Sequence, residues 1–376
     1  LNMNQVLNFK KKLTTNYTLP IAIFIASMFI SIMFAPQYKY MEEVFNTLNF
    51  ETTQINAVLD VIKVSTVQLI VIFVIFSTVE TIDDIKFYLK SFVVSSFAIN
   101  FIGLAFFNSS VVSDRFRSIL TDANVLGRFE GFIIIILVGY LLFFKKEFFK
   151  TVFSVFYILL CFGITFLTLS RGAMATCFIA ILIMFLFNKS KLLKILMITI
   201  SVLLVPILFA LIGTFRIGTG TGGGIIGSFV DVSNASRLAL NIAAWNMFLD
   251  YPIFGVGYWN FYNMYINHLY VPEGIPVFLK VAIVHSWFFS TIAEQGLLGM
   301  ISLTWVMYLL MRDNLRAIKS SVDIQFKGIG VILFCLMFII IFFGLNYPSF
   351  VPEISFALIA GLIAAYIKLS QNLIKN

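Results

Sequence analysis

The chain is built from long apolar runs separated by short polar connections. Such runs fall near residues 19–35, 64–79, 91–107, 129–144, 151–169, 172–187, 195–213, 286–310, 329–346 and 354–367. About 20 consecutive apolar residues in a helix cross a hydrocarbon layer about 30 Å thick, and a helix satisfies its own backbone there. The pattern therefore predicts an all-α, polytopic transmembrane helical bundle of about ten spans, a single integral membrane domain over 1–376. Ten spans place both termini on one side.

One connection is long. Residues 214–284 form a single large loop between the seventh and eighth spans, and long ordered loops in compact domains usually carry function. It opens on Thr214-Phe215-Arg216 and the run GTGTGGG at 218–224. Further along, Leu238, Ile242, Trp245 and Leu249 recur at helical spacing, which predicts a helix with one apolar face. Asn234 or Ser236 is positioned to cap its start, and Asp250-Tyr251-Pro252 ends it. Arg237 then falls in the first turn, where free N–H groups and the helix dipole already favour an anion. The alternative is an interfacial helix whose arginine meets lipid headgroups.

Composition agrees with a membrane protein: 60% of the 376 residues are hydrophobic and only 12% are charged. Charge then sets the orientation, because cytoplasmic loops collect lysine and arginine. Seventeen of the 26 basic residues fall on one side of the ten-span arrangement, among them Lys10 to Lys12, Lys86, Lys90, Lys145, Lys146 and Lys150. That side reads as the cytoplasm and holds both termini; the 214–284 loop faces outward. The net charge of +8 is mostly this inner lysine excess, so it does not imply nucleic acid.

The two basic residue types are divided unequally. Six of the eight arginines (Arg115, Arg117, Arg128, Arg171, Arg216 and Arg237) lie on the outer side, whereas the inner side is mostly lysine. A guanidinium is a permanently charged planar fork that fits phosphate oxygens, so this division points to an outward-facing phosphate site. Pairing with Asp114 or Asp122, or reaching to headgroups, would explain some of them instead. Cys161, Cys177 and Cys335 sit inside expected spans without a Cys-x-x-Cys pair and read as packing residues. The first apolar run lacks a small-x-small cleavage pattern and reads as a retained span.

Three residues draw attention as chemistry. Arg171, in Ser170-Arg171-Gly172 between two apolar runs, should face protein or a water-filled cavity, or else mark an outer turn at headgroup level. His285 stands where the long loop re-enters the membrane; an imidazole with an unperturbed pKa of about 6.5 takes a proton readily near neutrality. Taken alone, His285 also suits a capping or packing role, the reading given to His268. Glu294 lies nine residues on, on the opposite face of a straight helix, and reads as a buried partner for an arginine or for a backbone N–H. The loop is rich in aromatic residues, including Tyr258 and Trp259, suited to sugar stacking or to an interfacial belt. The glycine run lacks a following Lys-Ser/Thr and is no P-loop; no cluster has metal-ligand spacing.

In order, SRGA (170–173), NASR (234–237), PIFGVG (252–257), and HSW followed by AEQGLLG (293–299) resemble the O-antigen polymerase and O-antigen ligase superfamily over roughly residues 120–310. The resemblance implies a GT-C-like integral membrane glycosyltransferase of the bacterial cytoplasmic membrane. Its reaction is an inverting, metal-independent transfer on the outer face, with an undecaprenyl-pyrophosphate-linked glycan as donor and a glycan hydroxyl as acceptor. It implies His285 as general base and Arg171 and Arg237 as pyrophosphate-binding residues, with Arg216 a plausible third. No cofactor or nucleotide is implied; membrane lipid and a chain-length regulator protein are the implied partners. Asp122 and Asn124 read as glycan contacts or as helix-capping residues.

Polymerase and ligase share the donor and differ in acceptor. The abundance of lysine, asparagine and isoleucine suggests an AT-rich host without a lipid A core, which favours a polymerase. Two rivals stand beside it: a transporter of lipid-linked sugars, and a metal-dependent transferase using Glu42, Glu43 or Asp60.

Overall fold

A computed structural model describes residues 17–36, 54–107, 111–112, 115–120, 122–188, 195, 199, 232–267, 270, 284–346 and 354–375. Arg216, the 218–224 glycine run, His268, Glu42 and Glu43 lie outside the described residues, as does nearly all of the expected 195–213 span. The helices are α1 (Thr18–Met33), α2 (Gln54–Thr78), α3 (Ile82–Ala105), α4 (Ala123–Phe143), α5 (Phe148–Leu167), α6 (Arg171–Leu186), α7 (Val232–Asp250), α8 (Phe261–Asn267), α9 (Trp287–Ser320), α10 (Ile324–Phe343) and α11 (Ile354–Lys375). Seven of them, α2 to α5 and α9 to α11, are long and apolar enough to cross a membrane; α1 and α6 are shorter apolar helices. The protein is an all-α, multi-pass membrane bundle.

The expected boundaries err where polar residues begin a helix. Helix α2 starts at Gln54, ten residues before the expected span, so residues 54–63 of the supposed 36–63 outer segment are helical. Gln54 Nε2 donates to the Ile32 carbonyl at 3.2 Å, and Ala57 and Val61 are buried. Helix α3 starts at Ile82 rather than near 91, because Thr81 and Asp84 form a capping box. The Asp84 carboxylate accepts the Thr81 N–H at 2.7 Å, satisfying a donor that the helix leaves open. A two-residue antiparallel ribbon, β1 (Val111–Val112) with β2 (Arg115–Phe116), is the only strand pairing among the described residues.

The chain folds as two compact units, each drawn from several stretches of sequence. Unit 2 (78–231, 313–343, 362–376) is centred on α4, whose apolar residues Phe132 to Leu137 are all buried. Helices α3, α5, α6 and α10 pack around it. Inside this core lies Glu130, fully buried. Its carboxylate accepts from Ser96 Oγ at 3.2 Å and Asn100 Nδ2 at 3.1 Å, and the Tyr157 hydroxyl lies 2.9 Å from Ser96 Oγ. A carboxyl group at this depth is expensive unless bonded, and here it joins α3, α4 and α5 through polar contacts. Arg128, 4% exposed, lies over the Phe343 ring. An outer-loop position was expected for it; it belongs to the helix core instead.

Unit 1 (1–77, 232–312, 344–361) contains α1, α2, α7, α8 and the first part of α9. One core cluster of this unit is built by Leu240, Ala243, Ala244 and Met247 of α7 with Val256, Phe261, Met264, Tyr265, Val284 and Ala293. The buried face of α7 is thus the small, alanine-rich one. The stripe read from the sequence as the apolar face, Leu238, Ile242, Trp245 and Leu249, is exposed, at 58%, 37%, 42% and 60%. Both faces of this helix are apolar, so periodicity alone could not choose between them; the flat alanine face permits the closer approach.

Candidate functional site

In unit 1, two sequence motifs explain each other. Helix α9 is broken at Gly296, whose backbone (φ 61, ψ −157) is open to glycine only. The break strands backbone groups, and the Pro252–Gly257 segment takes them up. Val256 N–H donates to the Ala293 carbonyl at 2.8 Å and Gly257 N–H to the Glu294 carbonyl at 3.0 Å. In return, Leu297 N–H donates to the Pro252 carbonyl at 2.9 Å. The two backbones pass so closely that a Cβ on Gly255 would lie 2.4 Å from the Glu294 carbonyl carbon, and one on Gly296 would lie 2.5 Å from the Ile253 carbonyl carbon. PIFGVG and AEQGLLG are the two halves of one backbone interlock.

Glu294 completes this arrangement. Its carboxylate accepts the Phe261 N–H at 3.3 Å, at the N-terminus of α8. Of the two partners expected for it, the backbone N–H is the one found. The break at Gly296 follows Glu294, so the helix from Trp287 to Glu294 is uninterrupted. Tyr258 is 6% exposed and its N–H donates to Ser31 Oγ of α1 at 3.1 Å; burial pushes its phenol upward, with Asp60 beside it. Trp259 keeps 39% of its surface exposed at a positive φ of 62. Tyr258 is therefore packed into the scaffold, while Trp259 is available at the surface.

His285 is half-buried, between the buried residues Val284 and Ser286. The Ser286 carbonyl accepts the Ser290 N–H at 2.9 Å, so α9 begins directly after the imidazole. Arg237 is half-buried on α7. Helix α7 begins at Val232, ahead of both expected caps, so Arg237 lies in its second turn and not among the free N–H groups of the first. Val284 beside His285 and Leu240 three residues beyond Arg237 belong to the same core cluster. Arg237 and His285 are thus carried by segments packed on one another.

In unit 2, Arg171 takes the position expected for Arg237. It is the first residue of α6, after the N-cap Ser170, where helix N–H groups favour an anion. The turn before it is held from several directions. Leu169 adopts a positive φ of 51, and Arg115 Nε donates to the Thr168 carbonyl at 2.8 Å. Asn124 Oδ1 accepts from Arg115 at 2.7 Å and from Ser170 Oγ at 2.9 Å. Asp122 is the N-cap of α4, its side chain accepting the Asn124 N–H at 2.5 Å. Capping and turn support, rather than an open glycan-facing position, describe Asp122 and Asn124. Arg115 was missed as a structural residue because its partner is a main-chain carbonyl 53 residues away.

Residues 156–304 match the O-antigen ligase family (Wzy_C). This middle segment of the chain is similar to that family. The match supports its place in the O-antigen ligase and polymerase superfamily, and it spans Arg171, Arg237, the Gly255–Gly296 interlock and His285. No curated protein matches the chain. The interlock lies within the matched segment, so the residues that carried the sequence resemblance include those of the interlock.

Proposed function

We propose that the protein is a polysaccharide polymerase of the bacterial cytoplasmic membrane. It joins undecaprenyl-pyrophosphate-linked repeat units on the outer face. His285 accepts the proton of the acceptor hydroxyl as that oxygen attacks the anomeric carbon. The bond from that carbon to the pyrophosphate oxygen breaks with inversion, and the lipid pyrophosphate leaves. Charge grows on the leaving group, and fixed guanidinium groups placed there lower the barrier. Arg171, at a helix N-terminus, and Arg237 are assigned this role, with Arg216 as a third contact. Trp259 is assigned to the glycan, and a chain-length regulator is a further partner.

The observation that carries the reading is the match to the O-antigen ligase family over 156–304, a segment that contains His285, Arg171 and Arg237 in the order of the resembling motifs. The family description equally supports a ligase, which differs only in acceptor. Purified protein supplied with a lipid-linked repeat unit and no nucleotide sugar is expected to give a ladder of longer glycans, unaffected by EDTA. Transfer confined to a different acceptor would make it a ligase. Lipid translocation without bond formation would make it a transporter.

A further inference from the structure

The lysine-rich end of unit 2 holds a cavity that the proposed chemistry does not use. It measures about 700 Å³ and opens between α3, α4, α5 and α10. Its walls are apolar: Leu89 and Val93 of α3, Ile136 and Leu137 of α4, Phe153 of α5 and Ile332 of α10. Its rim is cationic, with Lys86, Lys90, Lys145 and Lys150 all lining it.

The four ammonium groups are not equivalent. Lys86 pairs with Asp83 at 2.8 Å and Lys150 with Glu147 at 2.8 Å. Lys90 and Lys145 have no carboxylate partner among the described residues. The cavity thus presents two uncompensated positive charges above a hydrocarbon-like trough. Val94 and Phe149 beside it are 69% and 84% exposed, so this flank of α3 and α5 faces lipid in a membrane. Orientation of the protein requires lysines at this end, but not a walled trough beneath them.

We propose that this cavity is a binding site for one anionic phospholipid, its phosphate held by Lys90 and Lys145 and an acyl segment lying against Leu137 and Ile332. Charge complementarity favours this occupant: a zwitterionic lipid fills the trough equally well but leaves the two ammonium groups uncompensated. Basic pockets between membrane helices recognise anionic headgroups in this way, at about 1 kcal/mol per lysine near the surface.

The test is native mass spectrometry of the purified, delipidated full chain after adding chain-matched phosphatidylglycerol or phosphatidylethanolamine. Wild type is expected to retain one phosphatidylglycerol in preference to phosphatidylethanolamine, and the doubly substituted K90Q/K145Q protein to lose about 30-fold of that preference. Lys146→Gln removes a neighbouring charge that does not line the cavity and should leave the preference unchanged. Equal retention of both lipids by wild type, or an unchanged preference in K90Q/K145Q, overturns the proposal. So does a retained polyprenyl phosphate that phosphatidylglycerol fails to displace.

Discussion

An imidazole acting as general base and a guanidinium gripping phosphate fail differently when replaced. For His285→Ala, loss of the proton acceptor is expected to slow elongation by roughly 10²- to 10⁴-fold while donor binding persists. Arg171→Lys and Arg237→Lys keep the charge but lose the two-pronged hydrogen bond. Donor KM is therefore expected to rise, by about tenfold for one charge-assisted bond of about 1.5 kcal/mol. Unchanged donor KM in both lysine variants would remove the pyrophosphate role. The sequence identified these residues by type and order, but not by their settings. Arg171 and Arg237 exchanged places relative to a helix start, because Ser170 proved to be an N-cap whereas Asn234 and Ser236 lie inside α7. Glu294 accepts the Phe261 N–H, a partner that lies 33 residues away in sequence and that periodicity cannot reveal.

The Gly255–Gly296 interlock replaces helical hydrogen bonds with inter-segment ones, and it depends on the absence of side chains at the crossing. Gly296→Ala is expected to destabilise the fold by at least about 1–3 kcal/mol from the backbone conformation alone, before the overlap with the Ile253 carbonyl is counted. A thermal unfolding midpoint equal to wild type would contradict this account. The polar cluster of unit 2 makes a parallel case. Glu130→Ala leaves Ser96 and Asn100 without their common acceptor and should cost about 1–3 kcal/mol, measured by unfolding in detergent; an unchanged midpoint would show the cluster to be dispensable. Neither feature was legible beforehand. Glycine-rich motifs announce a close approach without naming what approaches, and Glu130, inside the expected 129–144 span, gives no sign in the sequence of the Ser96 and Asn100 that meet it. Element positions were far more legible: nine of the ten expected spans coincide with described helices, since uninterrupted apolar length is itself the signal.

For the whole molecule, the proposed orientation rests on the lysine distribution. All three cysteines are buried, so single surface cysteines can report sidedness. A membrane-impermeant maleimide applied to intact cells is expected to label Trp259→Cys and to spare Lys146→Cys, with the pattern reversed in inverted vesicles. Labelling of both positions from one side would overturn the orientation, and with it the outward placement of the proposed site. The central claim is that His285 removes the acceptor proton during glycan transfer, and its most direct test is the single-turnover elongation rate of His285→Ala with saturating lipid-linked donor. The account predicts a rate at least about 100-fold below wild type with donor binding intact. A wild-type rate in that variant would contradict it.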